Sequence, residues 1–169
     1  MAGLSGDPGG PQGARSLDRR VLVVWTVQEA VESAVLVALV VAADVGARIG
    51  GLDPPWPVGV AAVPFAILGA LTAWRIPLAR YRRWRYEMAE DALELRHGIL
   101  EQVHSAIPYY RVQYVDITQG PVERAVGLAK LKVHTAAASS DATIPGIPAG
   151  EAETLRRLIL ARTGAGDAV

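Results

Sequence analysis

Two long apolar stretches, residues 21–43 and 58–78, constrain this chain more than any other feature. As a helix the first would run to roughly 34 Å, enough to cross a hydrocarbon core of about 30 Å with some tilt. Its early half is interrupted by Gln28, Glu29 and Glu32. The second holds the uncharged run VGVAAVPFAILGALTAW, which Ile76, Pro77 and Leu78 prolong. Pro64 is expected to kink it. The segment between them, GARIGGLDPPWP at 46–57, is made of turn formers and is too short for a domain. A transmembrane hairpin is therefore expected within residues 17–80.

Basic residues orient such a hairpin. Arg15, Arg19 and Arg20 precede it, and Arg75, Arg80, Arg82, Arg83 and Arg85 follow the uncharged run that ends at Trp74. Only Arg48 lies between the two runs. Positive charge is retained on the cytoplasmic side, so both termini are expected in the cytoplasm, in a multi-pass protein of the cell membrane. Trp25, Trp56, Trp74, Tyr81 and Trp84 fall near the expected interfaces, where amphipathic rings are favoured.

The remaining sequence supports one small domain. Net charge is zero, which argues against general nucleic-acid binding. The chain has no cysteine, which excludes disulfides, thiol catalysis and thiolate metal sites. Residues 1–16, rich in Gly, Pro, Ala and Ser, are expected to form a disordered tail and lack the apolar core of a signal peptide. Residues 164–169 are expected to form a second tail.

Residues 81–163 read as a cytoplasmic β-rich domain. Trp84, Tyr86 and Met88 alternate with Arg83, Arg85 and Glu87, and Leu93 and Leu95 alternate with Glu94 and Arg96. Ile99, Glu101, Val103, Ser105 and Ile107 line one face of a third segment. Val115 and Ile117 mark a fourth, and Leu131, Val133 and Thr135 a fifth, alternating with Lys130, Lys132 and His134. Residues 141–147 have room for one or two further short strands. This is the two-residue period of strands with one buried face. Turn chemistry separates them: Ala89-Glu90-Asp91, His97-Gly98, Gly120-Pro121 and Ser139-Ser140-Asp141. A last helix follows Pro148, with Glu151 and Glu153 in its first turn and Arg156, Arg157 and Arg162 later, an order that complements the helix dipole. Ala152, Leu155, Leu158, Ile159 and Leu160 form its apolar stripe, and Gly164 its stop. The fold class is α+β: a two-helix transmembrane hairpin, then a β-barrel or sandwich capped by the C-terminal helix.

Three stretches carry a family resemblance. They are residues 86–100, with Asp91-Ala92-Leu93 and Arg96-His97-Gly98-Ile99-Leu100; residues 107–115, Ile107-Pro108-Tyr109-Tyr110-Arg111-Val112-Gln113-Tyr114-Val115; and residues 119–129, from Gln119-Gly120-Pro121 to Ala129. With the double apolar run, they make the chain resemble the YdbS-like bacterial pleckstrin-homology (PH-like) membrane proteins, from the first span to about Arg162. That resemblance implies a PH-like fold on a membrane hairpin and little about biochemical role, because a fold does not fix a function. Where the family usually places a glycine after the fifth strand, this chain has Ala136-Ala137-Ala138.

Several residue groups are candidates for function. Arg75, Arg80, Arg82, Arg83 and Arg85 suit contact with anionic lipid, each basic residue near such a surface contributing about 1 kcal/mol, although topology alone also explains them. The PH analogy suggests phosphoinositide binding through the first strand-to-strand loop, but here that loop is Met88-Ala89-Glu90-Asp91, which repels phosphate. Gln28, Glu29 and Glu32 are candidate intramembrane polar residues, read as a proton or ion relay, as a Glu29–Arg75 ion pair, or as the polar start of a tilted helix. Ala62, Ala66 and Ala70, with Gly69 and Ala73, offer a small-residue face to the first span or to another protomer. Arg111, Gln113 and Arg124 are a candidate partner surface, or ties from a strand to the carbonyls of the Pro121–Gly127 turn. His97, His104 and His134 lack further ligands at metal-binding spacing. No catalytic motif or cofactor site appears, and no enzyme is expected.

The expected function is non-catalytic: a membrane-anchored module acting in protein interaction or assembly at the cytoplasmic face, presenting a sheet edge or groove to a protein partner or to another copy of itself. The alternatives are an anionic-lipid-sensing envelope homeostasis factor, and a small transport component using Glu29 and Glu32.

Overall fold

The computed structural model describes residues 13, 15–52, 54–136 and 141–165. Most of the expected N-terminal tail, the Ser139-Ser140 turn, residues 137 and 138 of the alanine run and residues 166–169 of the C-terminal tail lie outside them. The chain forms two compact units. One is Leu22–Ala79; the other is built from Arg80 onward and takes in the described residues up to Val21.

The first unit is a helical hairpin. Helix α1 (Val21–Ile49) runs beyond the apolar stretch to about 43 Å, continuing through Gly46 and ending before Gly50 and Gly51, the latter at φ 91°. A 3-10 turn (Val60–Ala62) leads into α2 (Val63–Arg83). Both helices are long and apolar enough to cross a membrane. Pro64 falls in the first turn of α2, where its missing N–H breaks no helical bond; the proline inside the helix is Pro77. The helices meet where Gly69 faces Ser33: a Cβ built on Gly69 would lie 2.6 Å from the Ser33 Cβ. Gly69, Ala73 and Pro77, at four-residue spacing, are the buried residues of α2. Of the expected small-residue face, Ala62, Gly69 and Ala73 are buried, whereas Ala66 and Ala70 are exposed. Large apolar side chains elsewhere on the hairpin face outward, among them Leu39, Leu68 and Trp74, at 63%, 59% and 66% exposure. A helix pair in water would not leave such a continuous apolar surface uncovered.

The second unit contains two three-stranded antiparallel sheets. Strands β1 (Arg85–Met88), β2 (Ala92–His97) and β3 (Val103–Pro108) form one sheet in that order. Strands β4 (Val112–Thr118), β5 (Leu128–Thr135) and β6 (Ala142–Pro148) form the other. The arrangement is sandwich-like, with the alternating residues Tyr86, Leu93, Leu95 and Ile107 buried from the first sheet and Val115, Leu131, Val133 and Ile144 from the second. Helix α4 (Ala149–Ala165) packs on β4, β5 and β6 through Ala152, Leu155 and Ile159. Leu158 and Leu160, expected on that stripe, remain exposed because they fall to either side of it.

Three differences from the sequence pattern have local causes. Residues 99–102 form a loop rather than the start of β3, after the turn at Gly98. Residues Pro121–Val126 form a short helix, α3, rather than a plain turn. Proline supplies its first position, Glu123 its third, and Gly127, at φ 71°, its left-handed cap. Finally, Arg15 pairs antiparallel with Tyr86 at the edge of β1, with N···O distances of 2.7 and 3.1 Å. Leu17 is buried beside this bridge in sequence, and Val21 packs against Gly146. The described residues 15–21 thus belong with the β unit, not with a tail or the hairpin.

Candidate functional site

In the β unit, three elements distant in sequence converge on an open cleft of about 520 Å³. The β1–β2 connection supplies Glu90, Asp91 and Ala92; the end of β3 and the 3-10 turn after it supply Pro108, Tyr109 and Tyr110; α4 supplies Arg162. Hydrogen bonds fix one wall. The Tyr109 hydroxyl donates to the Ala89 carbonyl at 3.2 Å, and Arg162 Nη1 donates to that carbonyl at 2.7 Å and to the Tyr109 hydroxyl at 3.0 Å. The guanidinium also lies 5.3 Å from the Tyr109 ring centroid. Tyr109 is thereby buried, while Tyr110 beside it is 64% exposed. Glu90 and Asp91 are exposed, with no ion pair among the described residues. An exposed tyrosine and a half-buried proline thus lie beside two carboxylates that have no ion pair among the described residues.

The candidate arginines divide. Arg83, the last residue of α2, and Arg85, in β1, line one pocket at the other end of the first sheet. Arg85 Nη1 donates to the Trp84 carbonyl at 2.7 Å, and Arg83 donates to the Ile99 carbonyl. Arg80 and Arg82 lie on the last turn of α2, outside that pocket, and Arg75 lies in the hairpin over the Trp74 ring at 5.2 Å.

Within the hairpin, Gln28 and Glu32 are exposed on α1 and Glu29 is half-buried. No Glu29–Arg75 ion pair forms among the described residues. The polar tie of the hairpin is one that sequence reading passed over. The Asp44 carboxylate accepts from the Gly59 N–H at 2.9 Å and pairs with Arg48 at 3.5 Å, and Arg48 donates to the Trp56 carbonyl at 2.5 Å. The four-residue spacing of Asp44 and Arg48 was the available signal.

Arg111, Gln113 and Arg124 are all exposed, and no hydrogen bond or ion pair joins them among the described residues. Arg111 lies over the Tyr110 ring at 5.6 Å, next to the cleft. The ties to the α3 region come from other side chains: Gln119 Nε2 donates to the Leu128 carbonyl at 2.8 Å, Arg20 donates to the Val126 carbonyl at 3.0 Å, and Lys130 pairs with Glu123 at 2.5 Å. Burial alone would raise the Glu123 pKa. The Lys130 hydrogen bond and charge, with the backbone N–H groups of Glu123 and Gly120, outweigh burial and hold it below its ordinary value. His134 stacks on Tyr114 and contacts Asp141 at 2.8 Å; His97 and His104 lie in the other sheet. No cluster able to hold a metal ion occurs among the described residues.

A family model for the bacterial PH domain matches residues 25–163. The transmembrane protein YdbS of Bacillus subtilis (strain 168) is 36% identical over 137 residues, which cover 81% of this chain and 82% of that protein. No solved structure matches the chain.

Proposed function

The chain belongs to the bacterial PH domain family, and from that premise we propose that it is a non-catalytic, membrane-anchored module that docks a protein partner at the cytoplasmic membrane face. The cleft between the β1–β2 connection, Tyr110 and Arg162 is the observation that carries this reading. The connection used for phosphate in the PH analogy bears Glu90 and Asp91 here, so its chemistry favours a basic protein segment over a phosphate. Tyr110 offers large apolar area and a hydroxyl at little entropic cost. The two apolar helices support integral anchoring, and the arginines flanking them support a cytoplasmic placement of the β unit.

The test is photocrosslinking of the full-length protein in native membranes from a photoreactive residue at position 110. A protein adduct is expected that is lost when Glu90 and Asp91 are both changed to Lys and kept when Ala125, on α3, is changed to Ser. An adduct indifferent to the charge reversal would overturn the proposal.

A further inference from the structure

A second cavity, of about 180 Å³, lies at the end of the first sheet away from the cleft. Strand register builds it. Arg85 pairs with Arg96, and Arg96 pairs with His104, so one row across three adjacent strands carries three basic side chains. Arg85 and Arg96 thus stand directly across from one another, an arrangement that disfavours the sheet and favours an anion beside it. Arg83 and His97 join the lining, with Gln102 as a further donor, and no lining residue is acidic. Glu87 and Glu94 form the next row, Arg96 reaches Glu94 at 3.4 Å, and Glu101 sits beside Gln102 in the loop. His97 is held by stacking on the buried Trp84, with centroids 5.8 Å apart. Three guanidiniums, two imidazoles and an amide around a space of this size match the oxygens of one phosphate group.

We propose that this pocket is a phosphate-class oxyanion site, filled by the headgroup of an anionic phospholipid or by a soluble phosphate ester. Two observations connect it with the bilayer. Arg83 follows Leu78, the end of the second apolar stretch, by five residues, so the chain keeps the Arg83 Cα within about 18 Å of the Leu78 Cα. The loop beside the pocket carries Leu100, which is fully exposed, and Arg83 holds this loop through the Ile99 carbonyl. An apolar tip beside a basic pocket fits a membrane interface better than open solvent. The site rests on the membrane anchoring proposed above and not on the acidic cleft.

The experiment uses the full-length protein in nanodiscs and reads hydrogen exchange of the backbone amides at 96–104. One arm compares phosphatidylcholine discs with discs that also contain phosphatidylglycerol. The other adds glycerol phosphate to phosphatidylcholine discs. Slower exchange is expected in at least one arm: the lipid arm alone assigns a headgroup, and the soluble arm assigns a phosphate ester. R96Q and H104Q, separately and together, are expected to weaken the effect, the pair by about tenfold or more in apparent affinity. Exchange across α4 checks that each variant is folded. No slowing of the wild-type protein in either arm overturns the proposal, as does slowing undiminished in a folded double variant. Because the photoadduct at position 110 reads the cleft and exchange at 96–104 reads the pocket, failure of one is distinguishable from failure of the other.

Discussion

Glu123 is the charged side chain that folding buries most completely among the described residues, at 4% exposure. It occupies the third position of α3 and reaches back to the Gly120 N–H while pairing with Lys130. Its pKa is held below the ordinary value of 4.5, so the ionised form is favoured in the folded state. The stability it contributes is present above 4.5 and is lost as pH falls through its lowered folded value. Glu123→Gln is expected to cost about 1–3 kcal/mol near neutral pH. The gap from wild type should close as pH falls below that ordinary value, which paired denaturant titrations would measure. An equal gap at neutral and acid pH would assign the loss to packing instead. Gly120, Pro121 and Glu123 together signal a helix start, yet a six-residue helix shows too little periodicity to be told from a turn by spacing alone.

At the scale of elements, the sequence was most legible where one pattern ran long. An uninterrupted apolar run specifies a spanning helix, and period-two alternation specified the faces of β1, β2 and β5. Helix ends were less legible: α1 continues through Gly46 to Ile49, where the Asp44–Arg48 pair ties its last turns. The small-residue face was legible only in part: Ala62, Gly69 and Ala73 are buried, while Ala66 and Ala70, at similar spacing, are exposed. The choice follows from Ser33, whose side chain needs a neighbour without a Cβ. Gly69→Leu is expected to destabilise the hairpin by about 1–3 kcal/mol through overpacking. Reversible unfolding in micelles would show this as a lowered midpoint, with Ala66→Leu, on the exposed face, near wild type. Equal midpoints for G69L and A66L would contradict the pairing. The bridge at Arg15 is not legible in the sequence because a single paired residue leaves no periodic trace.

Across the whole molecule, residues near 90, 110 and 162 meet in the cleft, and residues near 84, 96 and 103 meet in the basic pocket. Neither convergence is readable from local pattern, because each depends on strand register and on where α4 lies. The acidic character of residues 88–91 and the basic run at 75–85 were readable, and Glu90, Asp91, Arg83 and Arg85 mark two ends of the first sheet that differ in chemistry. Both readings require the β unit to face the cytoplasm, which the arginine distribution supports. The chain has no cysteine, so a single introduced one reports its side of the membrane unambiguously. The most direct measurement is labelling of Leu52→Cys and Ala125→Cys variants with a membrane-impermeant maleimide in intact spheroplasts. Position 52 is expected to react at once, and position 125 only after the membrane is permeabilised. Reaction of position 125 in intact spheroplasts, with position 52 protected, would contradict a cytoplasmic PH-like domain held by a membrane hairpin.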